Sequence, residues 1–136
     1  MVDQVQLMSL KYEAVKKMKA LRPDWTVGLL AAASVGRLWD LESDFLAVNM
    51  GMANGTLVAR SREVGKKLHV WTVNDPLDMS RMLSLGVSGL ITDEPALARE
   101  VIAQRAELST AQRLVLALGS QFGVDTSQRE YRDGSP

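Results

Sequence analysis

The stretch LHVWTVNDPLDMSRMLSLGVSGLITDEP, residues 68–95, contains one complete repeat of the fold. The apolar run LHVWTV predicts a buried strand. Asp75 and Pro76 predict a helix start, because aspartate accepts backbone N–H groups and proline suits the first turn. Gly86 ends that helix, and VSGLIT predicts a second strand. A strand, a helix and another strand form the unit of a parallel sheet.

The same alternation continues towards the N-terminus. Three further strand–helix units are predicted there from β-rich runs followed by helical periodicity. Their strands are VQLMSL at 5–10, TVGLLA at 26–31 and FLAVNM at 45–50. The second of these units has the weakest helix signal, and Ser34 is expected to cap a short helix through Leu41. We therefore expect an α/β protein with five strand–helix units.

Two helices are expected after the last strand. The acidic pair Asp93 and Glu94 precedes a proline and predicts a capped helix over residues 96–108. Ser109 and Gln112 have the spacing of a capping box, which predicts one more helix.

We expect one domain with two additions. Residues 1–108 hold the strand–helix units, 109–122 the extra helix, and 123–136 a polar tail that is expected to be disordered. Sixteen basic and sixteen acidic residues give a net charge of zero, so no long-range field favours a nucleic-acid partner. The chain has no cysteine, and no apolar run approaches the ~20 residues of a membrane helix. We therefore expect the chain to be soluble.

Five units permit two architectures. One is a doubly wound sheet, and the other is part of an eightfold β/α barrel of ~250 residues. A doubly wound sheet often carries a glycine-rich phosphate turn after its first strand, but the residues at 9–12 are SLKY. The pattern of strands and helices leaves both architectures open.

The pair VWTVN at 70–74 and GVSGLITDEP at 86–95 resembles the closing segment of the glycerophosphodiester phosphodiesterase family. That segment has a tryptophan-bearing strand and a final strand GVDGIITDxP, so Ser88 replaces an aspartate. VQLMSL and the later RPDW resemble the family's upstream strand and turn, with Leu10 in place of phenylalanine. The resemblance covers about residues 4–104. It implies a partial β/α (TIM-type) barrel, in which these strands are the fourth to eighth.

The resemblance also implies a chemistry. The family hydrolyses glycerophosphodiesters to an alcohol and glycerol 3-phosphate, with a divalent metal, Mg or Ca, in the intact enzyme. Its metal ligands and its acid and base histidines lie in the N-terminal part of the barrel. We therefore expect no catalytic residue in this chain, no metal bound by this portion alone, and no activity of the portion alone.

The substrate-binding candidates lie at predicted strand ends, because barrel active sites form at the C-terminal edge of the sheet. Trp71 lines the pocket by resemblance, and its indole offers an apolar face and one N–H donor. The other candidates are Asn74, Ser9 and Asn49. Their alternative roles are core packing for the tryptophan and ordinary turn or strand-end bonding for the polar residues. His69 is expected to be structural, at the beginning of its strand and over ~10 Å from the catalytic edge.

We expect the C-terminal portion of a phosphodiesterase that acts on a small-molecule glycerophosphodiester, and that pairs with the missing barrel half or self-associates. Two alternatives stay open: a non-catalytic α/β module that pairs through exposed sheet edges, and a complete doubly wound ligand-binding domain. The parent protein is expected in the cytoplasm or at a membrane.

Overall fold

The computed structural model describes residues 2–33 and 36–121. Its strands are β1 (Gln6–Ser9), β2 (Thr26–Ala31), β3 (Phe45–Asn49), β4 (Lys67–Trp71) and β5 (Gly89–Leu90). Its α-helices are α1 (Tyr12–Leu21), α2 (Gly55–Glu63), α3 (Pro76–Leu85), α4 (Pro95–Glu107) and α5 (Thr110–Gln121). The five predicted strands and the α/β class are confirmed, whereas the predicted tail at 123–136 lies outside the described residues.

The strands form one parallel sheet in the order β1-β2-β3-β4-β5. A doubly wound sheet reverses its strand order at a switch point, so this sequential order excludes the doubly wound alternative. Right-handed crossovers between sequential strands place all the connecting helices on one face. Within the described residues, β1 and β5 each pair with a strand on one side only, as in a section of an open barrel.

The two faces of the sheet carry different residues, because successive side chains on a strand point to opposite sides. The helix face, which packs against the helices, is part of the hydrophobic core. Its apolar residues are Leu7, Val27, Leu29, Ala31, Leu46, Val48, Leu68, Val70 and Leu90. The opposite side, here called the inner face, corresponds to the inside of a barrel. It consists of Met8, Gly28, Leu30, Phe45, Ala47, Asn49, His69, Trp71 and Gly89.

Helix ends follow the sequence signals in two places. The Asp75 carboxylate accepts the backbone N–H groups of Leu77 and Asp78, and Gly86 ends α3 with a φ of 92°. The capping box before α5 is also confirmed. Gln112 Oε1 accepts the N–H of Ser109 at 2.9 Å, and Ser109 Oγ accepts the N–H of Gln112 at 3.3 Å.

The connection from β2 to β3 differs from the prediction. It contains one 3-10 turn, Leu38–Asp40, where a helix through Leu41 was expected, and Ser34 lies outside the described residues. The Lys66 ammonium donates to the carbonyl oxygens of Trp39 and Leu41. These carbonyls are therefore satisfied by a side chain from the segment before β4, and the connection forms a turn without a longer helix.

Candidate functional site

Trp71 lies at the C-terminal end of β4, on the inner face and opposite Asn49 of β3. The indole is half-buried, and its Nε1–H donates to the carbonyl oxygen of Ala47 at 3.1 Å. The indole N–H is thus used inside the protein, and the ring offers a ligand only its apolar surface. Val73, two residues beyond the end of β4, is buried in the hydrophobic core.

Asn49 ends β3 beside Trp71. Its Oδ1 accepts the backbone N–H of Gly51 at 2.9 Å, which fixes the orientation of the amide. Its Nδ2 has no hydrogen-bond partner among the described residues. Of the four candidates, Asn49 is therefore the polar side chain that retains an unused donor on the inner face.

Asn74 follows β4, and both the nitrogen and the oxygen of its side-chain amide are hydrogen-bonded. Its Nδ2 donates to Oδ2 of Asp93 at 2.9 Å, and its Oδ1 accepts from the Thr92 hydroxyl at 3.0 Å and from the Asp93 N–H at 2.9 Å. These bonds join the segment after β4 to the segment after β5.

Because of these contacts, the start of α4 differs from the prediction. Glu94 is its N-cap residue but makes no side-chain cap bond, and Asp93 bonds to Asn74. The prediction that this acidic pair caps the helix is wrong. Thr92 Oγ1 accepts the Glu94 N–H at 2.9 Å, a local turn two residues long that orders the chain just before the helix.

Ser9 ends β1, but its register partner is Leu29, which belongs to the helix face. The Ser9 hydroxyl oxygen accepts the backbone N–H of Lys11 at 3.1 Å, at the start of α1. The structure therefore brings Trp71 and Asn49 together on the inner face, and places Ser9 on the other side of the sheet.

His69 lies in the middle of β4, two residues before its C-terminal end, so its predicted position at the strand start is wrong. Its ring meets the edge of Phe45, with centroids 5.2 Å apart, and lies over Gly89. Its Nε2 is buried without a partner in the described part of the chain. Burial, with a smaller contribution from the Lys67 charge, lowers the pKa of His69 below its usual range, which favours a neutral ring.

The residues at the C-terminal edge of the sheet do not fit a divalent metal. In residues 2–33 and 36–121, no three His, Asp or Glu side chains gather into a metal-binding cluster. Two further carboxylates, Glu42 and Asp44, lie close together in the sequence, but they precede β3 at the opposite edge of the sheet. There the Asp44 carboxylate accepts from Lys19 Nζ at 2.9 Å and from the Val27 N–H at 2.7 Å, so it stabilises the fold.

A cleft of about 500 Å³ lies beside the candidate site, between the segment after β2 and the start of α2. Its lining is mostly apolar and includes Leu38, Trp39, Met52 and Leu57. None of the four sequence-predicted site residues lines it. The inner face is open only in part, since Phe45 and Ala47 are buried whereas His69 and Trp71 are half-buried.

No helix in the described ranges is both long and apolar enough to span a bilayer. A sequential parallel sheet, with its helices on one face and polar groups at its C-terminal edge, defines the chain as a β/α-barrel type of protein.

Comparison with known proteins assigns the family. Residues 3–97 match the Glycerophosphoryl diester phosphodiesterase family. The chain is 35% identical over 106 residues to a glycerophosphodiester phosphodiesterase of Bacillus subtilis, and 29% identical over 97 residues to one of Caldanaerobacter subterraneus. The chain belongs to this family. The matches cover 72% and 68% of the chain but only 36% and 40% of the relatives, so it spans about two fifths of their length.

Solved structures agree with this fold. A glycerophosphodiester phosphodiesterase from Parabacteroides distasonis superposes with a TM-score of 0.69 at 26% identity, over 78% of this chain and 46% of the other. A phosphodiesterase from Oleispira antarctica, in complex with the product sn-glycerol-3-phosphate, gives 0.67 at 20% identity, over 72% and 41%. The partial-barrel prediction is consistent with both.

Proposed function

We propose that this chain supplies one wall of the substrate pocket in a glycerophosphodiester phosphodiesterase. The observation that carries the proposal is the position of Trp71 on the inner face, at the C-terminal end of β4. Barrel enzymes build their active sites at that edge. An indole fixed by its bond to Ala47 gives a ligand a flat apolar surface in a constant orientation. The substrate class follows from the family, and the product found with the Oleispira antarctica relative supports it.

The proposal places the bond-breaking groups outside these 136 residues. Burial lowers the pKa of His69, which favours the neutral ring, and its Nε2 is buried. Asp93 is bonded to Asn74, and Asp44 lies at the opposite edge of the sheet. The acid, the base and the groups that hold a metal would come from the barrel strands that this chain lacks. Loss of one acid or base costs ~100-fold or more, so the chain alone should hydrolyse glycerophosphocholine at less than ~1% of a full-length relative's rate.

A chimera tests the proposal directly. The part of the Bacillus subtilis relative that precedes its match is fused ahead of the whole of this chain, so that α4 and its core residues are kept. The chimera is expected to release glycerol 3-phosphate from glycerophosphocholine, and Trp71→Ala in it is expected to lower kcat/KM by roughly tenfold, mainly through KM. Trp25→Phe, away from the inner face, serves as the control. A folded chimera without activity would contradict the proposed function.

A second candidate is a module that pairs through its sheet edges. Two observations favour it: β1 and β5 each have one neighbouring strand within the described part of the chain, and Met8 of β1 is 45% exposed on the inner face. Unpaired edges and exposed apolar side chains favour association. Size-exclusion chromatography with light scattering is expected to give a mass above 14.9 kDa. A monomer at all concentrations would rule out self-pairing.

A further inference from the structure

We infer that Asn49 and the Trp71 ring together bind the glycerol moiety of the substrate, and that Asn49 Nδ2 donates a hydrogen bond to a glycerol oxygen. This inference rests on the proposed function and extends it to one part of the substrate. It also reassigns the hydrogen-bond donor, because the sequence alone assigned an N–H donor to the tryptophan.

The donor assignment follows from the hydrogen bonds at the two strand ends. The Trp71 N–H is bonded to the Ala47 carbonyl, so the indole has no donor left. Asn49 does retain a donor, since its Oδ1 accepts the Gly51 N–H and its Nδ2 has no partner within residues 2–33 and 36–121. The two residues are register partners on adjacent strands, about 4.8 Å apart along the hydrogen-bonding direction. An apolar ring and an amide donor therefore lie side by side.

Asn49 and Trp71 belong to one row of side chains across the sheet. The absence of charge in this row favours the glycerol part of the ligand over the phosphate. Asn49 and Trp71 are followed across the sheet by Ile91, whose N–H donates to the Val70 carbonyl at 2.8 Å. All three side chains in the row are neutral. Phosphate sites in proteins are usually built from arginine, lysine or several backbone N–H groups. A neutral polyol fits better, since its C–H groups can pack on the indole while a hydroxyl oxygen accepts from the amide.

The test is an NMR titration of the isotopically labelled 136-residue chain with glycerol 3-phosphate, and separately with inorganic phosphate. We expect the Asn49 side-chain amide and the Trp71 ring resonances to shift with glycerol 3-phosphate and much less with phosphate at equal concentration. The amide of Asn74 is the internal control, because both of its ends are bonded within the protein.

Two variants isolate the donor. Asn49→Asp keeps an oxygen for the Gly51 N–H but removes the donor, and Asn49→Leu removes the donor together with that oxygen but adds no charge. Each is expected to weaken binding of glycerol 3-phosphate by roughly threefold to tenfold, the range of one neutral hydrogen bond. An effect of the aspartate alone would indicate repulsion of the phosphate and would overturn the inference.

The other outcomes separate the inference from the proposed function. If the Trp71 ring responds and the Asn49 amide does not, the donor assignment is wrong and the pocket wall stands. If inorganic phosphate gives the same shifts as glycerol 3-phosphate, the assignment to glycerol is wrong. If neither residue responds to glycerol 3-phosphate, both the inference and the role of this wall are wrong.

Discussion

The helix face and the inner face belong to the same five strands, yet they differ in how far they are covered. On the helix face, Leu46, Val48 and Val70 are all 0% exposed, because the helices cover them. On the inner face, Met8 at the sheet edge is 45% exposed, and His69 and Trp71 are half-buried. The helix-side core is therefore complete within this chain, whereas the inner face needs further strands or another chain to cover it.

The inner face has its own packing at one end. Phe45 is only 2% exposed, because its ring lies directly over Gly28 of the neighbouring strand and meets the edge of His69. Small residues beside large ones thus fill part of what would be the barrel interior. Trp71 and Asn49 lie at the C-terminal edge of this face, and both are half-buried. The packed Phe45 ring and the candidate site thus lie at opposite ends of β3 on one face.

The largest expected effect tests whether the helix face alone supports the fold. Leu46→Ala should lower the free energy of unfolding by ~2–5 kcal/mol, because it opens a cavity in a fully covered core. Met8→Ala should change it by less than ~0.5 kcal/mol, because this side chain is largely in solvent. Urea denaturation measures both. A comparable loss for Met8→Ala would mean that the inner face is covered in solution, and the contrast between the faces would fail.

A smaller effect is expected at the packed end of the inner face. A Cβ on Gly28 would lie 2.1 Å from the Phe45 ring, so Gly28→Ala should destabilise the chain by ~1–3 kcal/mol. Gly55→Ala is the matched control, since nothing lies within 4 Å of its added Cβ and alanine favours the helix. The thermal unfolding midpoint should fall for the first and hold or rise for the second. Equal behaviour of the two variants would show that the Phe45 ring moves freely.

The smallest effect concerns the pH dependence contributed by His69. Its pKa is lowered by burial in the folded chain, so the unfolded chain binds more protons once the pH falls below the ordinary value of ~6.5. The stabilisation is present above that pH and is lost as the pH falls through the folded-state pKa. His69→Gln should flatten the stability curve over this range, and urea midpoints at several pH values measure it. An unchanged stability curve would mean that the His69 ring is exposed to water in the folded chain.

Much of the fold could be predicted from local patterns. The strands at 26–31 and 45–50, the Asp75 cap and the Ser109–Gln112 capping box all depend on residues close together in the sequence. The absence of the helix expected through Leu41 was not predictable, because the Lys66 side chain from a distant segment bonds the carbonyls of Trp39 and Leu41. The acidic pair before α4 looked like the Asp75 cap but differs from it, because Asn74 bonds Asp93 from across the sheet.

For the candidate site, the sequence determined that a tryptophan and two small polar residues end strands and that a third polar residue follows one, because strand periodicity and turn chemistry are local. Only the tertiary structure decided what each of them does. Register placed Ser9 on the helix face and Asn49 beside Trp71, and the Ala47 carbonyl took the indole N–H. The physical reason is that a hydrogen-bonding group uses the partner nearest in space, and those partners are up to 24 residues away in the chain.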